Sequence, residues 1–151
     1  MRRLACLISL GALCATGAAA APRATTPPPS YDIEIERMAV DKDLVIDGVQ
    51  LACTGIGDTR ADPKWTAYPI RVEFSDAKNE YMTDAVVALV DAKGAEVLMA
   101  RCDSPWLLLK PPPGTYAVYA QLMDSAAKMR SAKFSVPAHG QKRVVLQFPD
   151  S

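Results

Sequence analysis

Residues Asp84–Leu122, DAVVALVDAKGAEVLMARCDSPWLLLKPPPGTYAVYAQL, constrain the fold most, because they divide into short apolar runs separated by residues that reverse the backbone. Asp84 to Asp91 and Ala95 to Cys102 are rich in Val, Leu and Met. The link between them is Asp91-Ala92-Lys93-Gly94, in which Asp can accept from the turning backbone and Gly can take a positive φ, so the two runs read as a hairpin. Trp106 to Leu109 is a third run. It is stopped by Pro111-Pro112-Pro113-Gly114, since three prolines donate nothing to a sheet ladder. Thr115 to Leu122 then alternates, with Tyr116, Val118, Ala120 and Leu122 on one face and Thr115, Ala117, Tyr119 and Gln121 on the other.

The same period continues outward. Tyr68, Ile70, Val72 and Phe74 alternate with Pro69, Arg71 and Glu73; Ala132, Phe134 and Val136 alternate with polar residues; Val144, Leu146 and Phe148 do likewise. Tyr31 to Arg37 alternates apolar and acidic residues and reads as an edge strand or an arm. Gly48 to Trp65 is the least regular segment, in which Asp58 or Asp62 can cap a short helical turn with Pro63 at its first position. No segment carries a long 3.6-residue period. The expected fold is all-β, a single antiparallel β-sandwich of seven or eight strands. The expected organisation is a leader over 1–20, a disordered Pro/Thr-rich linker over 21–30, an arm and irregular region over 31–66, and the sandwich over 67–149.

Compartment follows from the N-terminus. Arg2 and Arg3, the apolar Leu4 to Cys14 and the small residues Ala18 and Ala20 have the order of a secretory signal, and the apolar part is shorter than the ~20 residues a bilayer span requires. Lipidation of Cys14 is the rival, but Leu13 before it is larger than the small residue that such a site takes. Without the leader, 15 Lys+Arg stand against 17 Asp+Glu, which gives no nucleic-acid footprint and leaves no stable membrane span. The product is expected to be periplasmic or secreted. Cys53 and Cys102 are the two thiols left there, and an oxidising compartment implies one bond between them; the alternative is two separately buried thiols.

Val86-x-Ala88-x-Val90-Asp91-Ala92-x-Gly94, Val97-Leu98, Trp106 to Leu109 and, above all, Pro112-Pro113-Gly114-Thr115-Tyr116-x-Val118-x-Ala120 resemble the carboxypeptidase regulatory-like domains, small transthyretin-like (prealbumin-like) sandwiches of exported bacterial proteins. Pro111 departs from the aliphatic residue usual there. The resemblance implies a non-catalytic module. The chain has one histidine, so neither the zinc site of the namesake carboxypeptidases nor the several histidines of transthyretin-like hydrolases carry over.

The inventory of reactive groups agrees with that expectation. His139 sits between Ala138 and Gly140 in a turn, leaving a Ser nucleophile without its usual base. Asp41, Asp43 and Asp47 lack the glycine and distant glutamate of a calcium loop, and Gly55-Ile56-Gly57 is too sparse for a phosphate loop. Met82, Met99, Met123 and Met129 show no copper-type spacing. We therefore expect no catalytic, cofactor-binding or metal-ligating residue, and a protein or glycan partner in the cell envelope met at an edge strand or loop end. A carbohydrate-binding module, with Trp65, Tyr68, Tyr81, Trp106, Tyr116 and Tyr119 as its aromatic supply, and a small hydrolase using a carboxylate pair are the alternatives. N-terminal sequencing of exported protein is expected to begin at Ala21; a lipid on Cys14 or a retained Met1 overturns the leader assignment.

Overall fold

The computed structural model describes residues 35, 37–123 and 125–149, so the leader, the linker, most of the Tyr31–Arg37 arm and Asp124 in the reversal after Leu122 lie outside it. The described residues form strands β1 (Asp43–Ile46), β2 (Val49–Thr54), β3 (Ile70–Asp76), β4 (Ala85–Asp91), β5 (Glu96–Cys102), β6 (Trp106–Lys110), β7 (Thr115–Leu122), β8 (Arg130–Ser135) and β9 (Lys142–Phe148). Two short 3-10 helices, Gly57–Ala61 and Pro63–Ala67, lie between β2 and β3. One sheet has the order β1-β2-β6-β3-β9 and the other β5-β4-β7-β8. Among the described residues no helix is long and apolar enough to cross a membrane.

Both sheets contribute to one core. Leu51, Cys53, Ile70, Val72, Phe74, Leu107, Leu109, Val144, Leu146 and Phe148 meet Val87, Leu89, Leu98, Ala100, Cys102, Tyr116, Val118, Ala120, Leu122 and Phe134. These are alternate residues of their strands, so the period-two pattern of β3, β5, β7 and β9 translates directly into an inward face. The hairpin between β4 and β5 forms as its residues dictate. Asp91 Oδ1 accepts from Lys93 N at 2.8 Å and from Ala95 N at 2.9 Å, and Gly94 takes φ +86°. A register shift beside Leu89 and Val90 breaks the alternation locally, and Val97 packs against the core rather than facing out.

The structure departs from expectation in two places. Val49–Thr54, expected to be irregular, is a strand hydrogen-bonded on both sides, to β1 and to β6. Its alternation was obscured because Ala52 and Thr54 on the outward face are buried as well as Leu51 and Cys53 on the inward one. Asp47 and Gly48, both at positive φ, close the β1–β2 hairpin and bring the number of strands to nine. The second departure is that β9 runs parallel to β3, from Ile70 opposite Lys142 to Asp76 opposite Phe148, so the five-stranded sheet is mixed rather than antiparallel. The chain reaches β9 from β8 in the opposite sheet, and a strand arriving by such a crossover need not reverse direction relative to its new neighbour.

Cys53 and Cys102 meet at disulfide distance with Cα atoms 5.5 Å apart, tying β2 of one sheet to the edge strand β5 of the other. The chain before β1 repeats that link without a covalent bond. Arg37 bridges to Arg101 on β5, Val40 bridges to Cys53 on β2, and Met38 between them is buried in the core. Met38 N donates to Arg101 O at 2.9 Å and Asp41 N to Cys53 O at 2.8 Å.

A cross-link with sequence separation 49 stabilises by roughly 4 kcal/mol in the chain-entropy model. Reduction is expected to lower the melting temperature. Because β2 keeps ladder bonds on both sides, amide exchange should rise first in edge strand β5 and the 37–41 strap; first release of β2 would contradict this assignment.

Candidate functional site

The outward face of the five-stranded sheet follows from register. One row across it reads Asp43, Ala52, Leu108, Arg71 and Arg143, and the next reads Thr54, Trp106, Glu73 and Val145. The first row is roofed by the 3-10 helices, whose Trp65 and the following Tyr68 pack on Ala52 and Leu108 as a second apolar cluster. Local bonds fix that roof. Asp62 Oδ1 accepts from Lys64 N at 2.9 Å with Pro63 in the first helical position, as the sequence pattern led us to expect. Trp65 Nε1 donates to Thr59 O at 2.7 Å, and Gln141 Nε2 donates to Trp65 O and Tyr68 O at 2.8 and 3.0 Å. Tyr68 Oη donates to Asp43 Oδ1; burial, followed by the Asp43 hydrogen bond, pushes its phenol far above the ordinary range.

The second row has a thinner cover, and there the chemistry collects. Trp106 is 6% exposed but points away from the main core, so its burial comes from the cover over this face and not from packing between the sheets. Its indole lies under guanidinium groups, with Arg71 Cζ 4.5 Å and Arg60 Cζ 5.3 Å from the ring centroid. Tyr81 meets it edge-on, with centroids 6.3 Å apart and planes at 80°. Arg60 is itself fixed, since its Nε and Nη2 donate to Gly55 O at 3.0 and 2.8 Å while its Cζ sits 4.8 Å from the Tyr81 ring. Gly55 is demanded twice: its φ is +106°, and a Cβ there would lie 2.7 Å from Trp106 Cγ.

Beside Trp106, Glu73 is 1% exposed. Two arginines compensate its charge: Arg71 Nε is 2.9 Å from Oε1 and Arg143 Nη2 is 2.6 Å from Oε2, both close ion pairs without good hydrogen-bond angles. The Glu73 carboxylate, 2.6 Å away, raises the Arg143 guanidinium further above its ordinary range. The result is a surface whose floor is Trp106 and Glu73 and whose rim is Arg60, Tyr81, Arg143 and Val145. Tyr81 is 43% exposed and the Arg143 side chain 58%.

A second polar cluster lies at the open end of β5. Arg101 Nε and Nη2 donate to the two oxygens of Asp84 at 2.6 and 2.8 Å, and Arg37 Nη1 donates to Asp103 Oδ2 at 2.9 Å. The Arg101 hydrogen bond holds the Asp84 carboxyl below the usual carboxylate range, which suits a clamp for the 37–41 strap and denies Asp84 the proton that a general acid must carry.

The residues singled out from sequence scatter. Cys53 and Cys102 meet in the core, on the inner side of the sheet whose outer side carries the arginine–aromatic face, with Cys102 Sγ 3.5 Å from Trp106 O. Asp41 accepts from Thr54 Oγ1 at 2.6 Å while Asp43 serves Tyr68, and no group of three metal-capable side chains converges among the described residues. His139 is exposed in the turn before β9, and Tyr119 is half-buried on the other sheet. Sequence reasoning missed Glu73, Arg60 and Arg143. Glu73 stands in the polar register of β3 and reads there as solvated; only the adjacent Arg71 hinted at a partner.

Trp106→Ala is expected to cost about 3–5 kcal/mol in thermal or denaturant unfolding, because it removes the floor on which Arg60, Arg71 and Tyr81 rest. A loss under about 1 kcal/mol would show that the face holds together without it. No family model matches this chain, and no curated protein matches it.

Proposed function

We propose that this chain is an exported, non-catalytic β-sandwich module of the carboxypeptidase regulatory-like type that binds a protein partner in the cell envelope through the outward face of its five-stranded sheet. The sandwich type is supported by the two sheets around one core and by Pro113-Gly114-Thr115-Tyr116, where the inward Tyr116 donates from Oη to Pro112 O at 3.0 Å. Export to the periplasm or outside the cell is supported by the leader-like N-terminus and by the paired cysteines.

One observation carries the binding reading: a tryptophan, a tyrosine and three arginines from five separate segments converge on one surface, with the aromatic floor already desolvated. Trp, Tyr and Arg dominate the energetics of protein interfaces because they bring large contact area and fixed donors at low entropic cost. The glycan alternative needs flat rings presented side by side. Here Tyr81 and Trp106 stand nearly perpendicular and Trp106 is covered, which favours a protein partner. For the hydrolase alternative, the Glu73 carboxylate is already committed to two guanidinium groups, one on each oxygen.

A photo-crosslinking residue at Val145 is expected to give a discrete protein adduct in cells, lost with Tyr81→Ala and absent when the same residue replaces Lys133 on the opposite sheet. Equal labelling from both positions, or none from Val145, overturns the assignment of the face.

A further inference from the structure

Charge on the face is unbalanced: three guanidinium groups meet one carboxylate, and Arg60 is the one with no share in it. Glu73 is the carboxylate paired with Arg71 and Arg143. Arg60 has no carboxylate within ion-pair distance among the described residues. Its bonds go to the Gly55 carbonyl, and its plane rests on Tyr81 and Trp106. A guanidinium fixed by a neutral carbonyl and two rings loses little freedom on meeting an anion, so most of the interaction free energy survives as affinity. Exposed apolar surface is at hand: Tyr81, on whose ring Arg60 rests, and Ile56, the residue after the Gly55 whose carbonyl Arg60 holds.

Resting on the docking face proposed above, we infer that the partner presents an acidic side chain next to an apolar one, the carboxylate seating on Arg60 and the apolar group against Tyr81 and Ile56. Arg60 retains donors not committed to Gly55, enough for a charge-assisted hydrogen bond from the outside. Arg143, paired with Glu73 yet largely exposed, adds long-range attraction for the same sign of charge. The ring faces already carry cations, so the face selects against a basic partner and not merely for an acidic one.

Selection of a displayed random dodecapeptide library on the oxidised chain tests this, with Arg60→Gln, Arg60→Lys and Tyr81→Ala run in parallel once melting curves show each variant folded. The expected enrichment is Asp or Glu adjacent to Leu, Ile, Val or an aromatic residue. Synthetic peptides from that pool should bind about tenfold more weakly to Arg60→Gln, be only partly rescued by Arg60→Lys, which restores the charge but not the carbonyl-fixed plane, and weaken as salt rises. Enrichment without acidic residues, lost with Tyr81→Ala but indifferent to Arg60→Gln, would overturn the acidic specificity and leave the docking face standing. Enrichment insensitive to both positions, or none at all, would overturn both.

Discussion

Strand β6 is apolar on both faces, and water has to be kept from each of them. Leu107 and Leu109 enter the core between the sheets, while Trp106 and Leu108 point the other way, where no second sheet exists to receive them. The rest of the five-stranded sheet answers that demand. The 57–67 segment folds back over Leu108, Gly55 yields its side chain so that the backbone can pass Trp106, and Arg60 and Tyr81 close over the indole. A fully buried Glu73 is tolerable in this place because Arg71 and Arg143 flank it across β3 and β9. The surface read as a docking face is thus a by-product of roofing one strand.

The two-sheet, all-β fold was legible where burial is one-sided. In β3, β5, β7 and β9 an apolar residue recurs at every second position, and those residues form the core. Strand β2 was illegible for the opposite reason. Ala52 and Thr54 are outward yet covered, so no polar face announced the alternation, and the glycines after it suggested loop. The parallel pairing of β3 and β9 leaves no local trace, since it depends on which edge a distant strand reaches. The cysteine pairing was readable by elimination, whereas its place was not: it joins two regular strands instead of pinning loose chain.

The face itself was nearly silent. Trp106 drew attention as an aromatic residue, but Arg60, Arg71, Glu73 and Arg143 are residues that solvated surfaces carry everywhere, and only register and the fold-back of 57–67 bring them together. A surface built from arginines on separate segments has no contiguous signature. The disulfide and the 37–41 strap brace the same part of the sheet from behind and beside it: Cys102 Sγ lies 3.5 Å from Trp106 O, and Asp41 accepts from Thr54 in the Trp106 row.

The parallel pairing of β3 with β9 also sets an order of events. β3 is flanked by β6 on one side and by β9 on the other, and the whole of β4 to β8 lies between β3 and β9 in sequence. Contacts separated by so much sequence are slow to close, because loop entropy must be overcome before they return any stability. Until Val144, Leu146 and Phe148 are in place, one flank of β3 stays an open ladder and Glu73 lacks the second of its two arginines. A folding chain is therefore held short of its finished sheet until β9 docks, and the arginine–aromatic surface matures only with that strand.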